Sequence, residues 1–258
     1  MVLGSNPITV FTSRIQSIGG LISDGVKTES FDLPKEIDIE IDYSIGGFII
    51  KQTDDDKASI TFPYSENNDF EIKTEVIDQK FTVKFVKHRS SWLSFGSFNI
   101  EDTILNLPKD TKITDLDVDL KLGSLTMIEI KSDQSQIKLN MGSLDDLSGI
   151  HQKANWKLNM GSIKLRGTQL DNAKLDLDMG SLEGKTIMLG TQEIEVNMGS
   201  VELVLEQELN KASYNIQVDL GDISVNGQKD NYQSTENAEV EFKIDANMGS
   251  VKLRFMPD

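Results

Sequence analysis

The sequence predicts an all-β fold: a single-stranded β-solenoid (β-helix) with coils of about 19 residues and a short N-terminal capping segment. Three observations carry this. A Leu/Met-Gly-Ser or Leu-Gly-Asp tripeptide recurs, with its glycine at 123, 142, 161, 180, 199, 221 and 249. Apolar and polar residues alternate with period two on both sides of that glycine. The alternation slips by one residue across the Gly-Ser pair.

The glycines are spaced 19, 19, 19, 19, 22 and 28 residues apart. With each glycine set to zero, the columns at −5, −3, −1, +2 and +4 hold 33 apolar residues of 35, and those at −6, −4 and −2 hold 21 polar of 21. Such alternation belongs to a half-buried strand, because a helix would repeat every 3.6 residues. Inward positions at −1 and then +2 are three residues apart, so the chain must bend at Gly-Ser, where a residue free to take positive φ is needed. Strand, corner, strand, repeated, makes one coil per period. Seven coils stacked at about 4.8 Å give a section about 34 Å long. The −1 column (Leu122, Met141, Met160, Met179, Met198, Leu220 and Met248) is expected inside, filling the core with flexible thioethers. The −2 column, rich in Asn, is expected to form a ladder of stacked amides.

Residues 1–30 read as an N-terminal segment or cap and residues 31–258 as one solenoid domain, irregular over 31–112 and regular over 113–258. Ile37, Ile39, Ile41 and Tyr43 alternate with acidic residues and then meet Gly46-Gly47 and Phe48, an early coil of the same design. Further strands are expected at Ala58–Phe62, Phe70–Val76, Phe81–Val86 and Phe98–Leu107, and a loop at Lys87–Gly96. Phe11, Ile15, Ile18 and Ile22 are near helical spacing, which Gly19-Gly20 weakens. The longer steps of 22 and 28 residues imply insertions, one of them the polar loop Asn226–Asn237.

The chain has 26 Lys+Arg against 42 Asp+Glu, a formal net charge of −16. That balance excludes a nucleic-acid partner, whose phosphates need clustered Lys and Arg, and plain attraction to anionic lipid. It suits a protein or cationic peptide partner. No cysteine is present, which excludes disulfides, thiolate catalysis and cysteine metal sites. No stretch reads as a membrane span or signal peptide, so a place near a membrane would come only through a missing anchor or a partner. No cofactor or metal is expected.

Enzyme motifs are missing. His88 and His151 are the only histidines, and no triad, His-Glu-x-x-His or Gly-x-Ser-x-Gly pattern surrounds them. Stacking would gather Asp176, Asp178, Glu193 and Glu195 on adjacent coils, with Lys174 in partial compensation. Such carboxylates can hold a cation, serve a glycosidase pair or form a solvated acidic face. Trp92 and Phe95 could anchor a partner, a sugar or a membrane surface. These six residues are the candidate ligand-binding set.

The Ile-x-Ile strand before Gly46-Gly47, the segment Leu105–Asp110 and the repeated Val/Ile-x-Leu-x-Met-Gly-Ser-Leu/Ile-x-Leu together resemble the bacterial "putative adhesin" β-helix domain, shared with the Lia-type cell-envelope stress proteins of Gram-positive bacteria. The resemblance covers roughly residues 33–256. It implies a stacked β-helix without enzymatic chemistry and a role at or near the cell envelope. The expected function is a non-enzymatic scaffold or binding protein in adhesion or envelope-stress response, at the envelope or outside the cell. The alternatives are a carbohydrate-active solenoid enzyme and an intracellular regulatory module; the lack of a visible signal peptide keeps a cytoplasmic location open.

Overall fold

A computed structural model of the chain describes residues 8–10, 23–66, 70–88 and 100–256. It is all-β, with one 3-10 turn at Leu209–Lys211 among the described residues. The regular repeats pair in parallel and in register. Ile137 lies beside Val118 below and Trp156 above, Gly142 between Gly123 and Gly161, and Leu144 between Leu125 and Ile163. Each repeat is thus one rung of a stack. The early coil also takes its place: Glu36–Tyr43 pairs with Lys112–Ile128, and Gly46 lies against Gly123.

The wall columns at −5, −3 and +2 line the core. Leu139 is 1% exposed, and Trp156, Leu158, Leu175, Leu144 and Ile163 are buried with it. Burial of such side chains stabilises the fold by about 1.5–3 kcal/mol each. The rungs above and below satisfy the backbone donors and acceptors. Outward positions carry Lys–carboxylate pairs between neighbouring rungs, such as Lys164 with Glu183 at 3.0 Å and Lys185 with Glu206 at 3.0 Å. These half-exposed pairs each contribute little.

The sheet is mixed rather than wholly parallel. At the N-terminal end, Phe70–Ile77 pairs antiparallel with Lys80–Lys87, which runs parallel to Glu36–Tyr43. Ala58–Tyr64 pairs antiparallel with both Gly25–Phe31 and Thr103–Pro108. These antiparallel strands extend past the Gly46 rung, where a bare parallel edge would leave unpaired backbone groups. Residues 8–10 and 25–31 are strands. The helically spaced Phe11, Ile15, Ile18 and Ile22 lie outside the described residues.

The other departure concerns order. The Gly199 rung pairs with the Gly249 rung, and Gly249 then pairs with Gly221. The rung that comes last in sequence therefore sits second from the end of the stack. The 22-residue step climbs two levels, its extra length lodged at the 3-10 turn, and the 28-residue step returns the chain into the gap. Within the returning loop, Tyr232–Gln233 pairs antiparallel with Tyr214 and Asn215. The spacing irregularities are thus a skipped and refilled level.

Candidate functional site at the glycine corner

The −1 column is not in the core. Leu122, Met141, Met160, Met179, Met198, Met248 and Leu220 are all exposed, between 36% and 67%. This corrects the expectation of a methionine-filled interior, although the rungs pair in parallel and in register as expected. The reason is the length of the corner. The chain leaves the wall after −3 and rejoins it at +2, so four residues, −2 to +1, form the turn. Seven of the ten exposed large apolar side chains among the described residues belong to this column. Stacked at about 4.8 Å, they form one continuous apolar ridge along the edge of the stack.

The residues beside the ridge fix its shape. At 0, Gly142 and Gly161 take φ of +152° and +138°, a region that side-chain-bearing residues avoid. A Cβ on either would overlap the carbonyl oxygen of the glycine one rung below, so glycine is required twice over. At −2, the amide of Asn159 donates to Asn140 Oδ1 (2.9 Å), that of Asn197 to Asp178 Oδ1 (2.7 Å) and that of Asn247 to Asn197 Oδ1 (2.7 Å). The amide ladder is present as expected. At +1, Ser143 and Ser162 are partly exposed. Asparagine, methionine, glycine and serine thus repeat as four parallel columns with little freedom to rearrange.

The predicted acidic cluster forms on the rungs beside the ridge, but its carboxylates are engaged. Lys157 Nζ is 3.0 Å from Asp176, and the hydrogen bond and charge of that carboxylate hold the ammonium above the ordinary lysine range. Lys174 reaches both Glu193 (3.8 Å) and Glu195 (3.6 Å). Asp178 accepts the Asn197 amide. Among the described residues, no three His, Asp or Glu side chains converge in a metal-binding arrangement. Trp92 and Phe95 lie outside the described residues.

One constellation escaped the motif reading. Ser132 Oγ is 2.7 Å from His151 Nδ1, and His151 Nε2 is 3.2 Å from Asp146 Oδ2. The identities are those of a nucleophile, base and orienting acid. The setting is different: Ser132 is 4% exposed, and His151 and Asp146 are fully buried. Ser132 and His151 are neighbours on adjacent rungs, and the imidazole packs edge-on against Trp156 at 5.3 Å. Trp156 Nε1 donates to Ser135 Oγ at 2.9 Å. The network is a polar plug inside the stack, where a substrate has no approach. Its signal in the sequence was Asp146, the one charged residue in the +4 column.

Stacked in-register rungs, a glycine corner and an exposed apolar ridge define a β-rich repeat protein. The chain belongs to the Toastrack DUF4097 family, whose profile matches residues 36–254. No curated protein matches it in sequence. Among solved structures, it is similar to a "putative cell adhesion protein" from Clostridium sporogenes, at 15% identity and TM-score 0.38, over 90% of this chain and 100% of that one. It is also similar to a "putative adhesin" from Bacteroides fragilis, at 11% identity and TM-score 0.32, over 90% and 98% of the two chains. The family match carries the identification.

Proposed function

We propose that the chain is a non-enzymatic β-solenoid scaffold that binds protein partners through its glycine corner, in the bacterial cell envelope, in adhesion or envelope-stress response. The observation that carries this reading is the exposed Leu/Met ridge. Soluble proteins rarely leave long contiguous apolar patches uncovered, and such patches mark interaction sites. Methionine suits the role, since its flexible, polarizable side chain adapts to different partners. The in-register pairing of the rungs fixes the order of the ridge residues in advance, so little ordering cost opposes binding. Acidic residues gather beside its upper half, at Asp176, Asp178, Glu195 and Asp219, which favours a partner with a cationic rim. Nothing favours the carbohydrate-active reading: Asp176, Glu193 and Glu195 are paired with lysines, and the Ser132–His151–Asp146 network is enclosed.

The test uses a synthetic amphipathic Lys/Leu peptide as the probe. Titration calorimetry on the whole chain is expected to show binding that weakens as salt rises. Met160→Ser with Met179→Ser should abolish it, and Asp176→Asn with Glu195→Gln should weaken it. Equal affinity for the wild-type chain and the methionine double variant overturns the reading.

A further inference from the structure

We infer that the partner seated on the ridge is a second copy of this chain, lying antiparallel about a two-fold axis at the level of Met179. The inference rests on the reading of the glycine corner as a binding surface and names what covers it.

The charges beside the ridge carry the argument. Met179 is the fourth of the seven stacked ridge residues, so it is the centre of a full overlap. A two-fold axis there, perpendicular to the ridge, turns the stack end for end and leaves each flanking column against its own equivalent. At −4, Lys138 then faces the partner subunit's Asp245, and Lys157 faces the partner subunit's Glu195. At +3, Lys164 faces the partner subunit's Glu202, and Asp145 faces the partner subunit's Lys252. At −2, Lys121 faces the partner subunit's Asp219. The identities and rung positions come directly from the sequence and the strand register. Every charged pair away from the axis joins opposite signs, and each occurs twice. On the axis, Asp176, Asp178 and Glu183 meet their own copies; Asp176 and Glu183 are already compensated by Lys157 and Lys164.

The parallel arrangement fails the same check. It sets the −4 column of one copy against the +3 column of the other at the same level. Lys157 would meet the partner subunit's Lys164, Asp176 the partner subunit's Glu183, and Glu195 the partner subunit's Glu202. Three central levels would be like-charged, and juxtaposed like charges oppose association.

The size of the surface sets the strength. Six steps of 4.8 Å make the ridge about 29 Å long, and the contour from −4 to +3 is about 23 Å. Each copy then contributes roughly 650 Å², which places the pair near the lower end of specific interfaces. Two chains of net charge −16 also repel at long range. A weak, reversible dimer follows, strengthened where many copies share one surface.

Because the chain contains no cysteine, single introduced thiols report the geometry. Under mild oxidation, Met179→Cys is expected to cross-link to itself. Met141→Cys should cross-link only when mixed with Met248→Cys. Sedimentation equilibrium should show a micromolar dimer of the wild-type chain, tightened by Asp178→Asn and weakened about tenfold or more by Met160→Lys with Met198→Lys, while circular dichroism shows each variant folded. Self-cross-linking of Met141→Cys, or a wild-type chain that stays monomeric across the micromolar range, overturns the inference. In that event, probe-peptide binding that still requires Met160 and Met179 leaves the scaffold reading standing. Loss of both means that the ridge is not a binding surface.

Discussion

Leu139 and Met141 lie two residues apart on one strand, where simple alternation points both the same way. Leu139 is 1% exposed and Met141 is 43% exposed. The wall obeys the two-residue period, and the corner suspends it for four residues. The same apolar pattern therefore serves two ends: in the wall it closes the core, and at the corner it furnishes an outer surface. Hydrophobicity in a repeat column does not by itself say whether the column faces the core or lies on the outer surface.

The largest expected effect breaks the corner's backbone. Gly142→Ala must force a methyl group against the Gly123 carbonyl in a conformation that alanine avoids. We predict a loss of more than about 4 kcal/mol in urea unfolding, with neighbouring rungs unable to close around it. Next comes the contrast between the two columns. Leu139→Ala should cost about 2–5 kcal/mol as a buried truncation, and Met141→Ala less than about 1 kcal/mol. Similar losses for the two would remove the distinction between wall and corner.

A smaller effect sharpens the picture of the corner's edge. Asn159→Ala removes the donor to Asn140 and should cost about 1 kcal/mol in thermal unfolding. Asn159→Asp should be worse, because it places a carboxylate against the Asn140 oxygen in place of a donor. The smallest effect belongs to the outer face of the wall. Burial, then the charges of Asp115 and Glu40, raise the Asp117 carboxyl above its ordinary value. The folded chain holds that proton more tightly than the unfolded chain, so stability is lost as pH rises from the ordinary carboxylate range through the raised value. Asp117→Asn should therefore raise the melting temperature slightly at neutral pH, and the gain should vanish in acid. A gain that persists below the carboxylate range would assign the effect to something other than ionisation.

Much of this architecture was legible in the residues. The repeat of 19, the wall columns and the amide ladder follow from period and polarity, and the early Gly46 rung from the same strand–glycine–strand order. The depth of the corner was not legible, for a reason of parity. A step from −1 to +2 and a step from −3 to +2 are both odd, so both reverse the alternation in the same way, and the pattern cannot say which inward residue is the last. The order of the final rungs was hidden because spacing records contour length and not the level that a strand reaches. The Ser132–His151–Asp146 network was hidden because Ser132 and Asp146 sit at opposite ends of one long strand, His151 comes from the next, and no local motif joins them. Of the predicted site, Asp176, Asp178, Glu193 and Glu195 were placed together, with Lys157 and Lys174 beside them, while the donation of the Asn197 amide to Asp178 needed coordinates.

The out-of-order rung bears on how such a molecule comes into being. During synthesis from the N-terminus, each rung can settle on the one made before it, until the chain leaps past a vacant storey. Gly221 and its strand must then wait, with nothing beneath them, for Val240–Met256 to slide between two existing floors. A nascent chain interrupted before that point leaves the upper side of the Gly199 rung and the lower side of the Gly221 strand unpaired, two raw borders that the returning strand closes in the finished molecule.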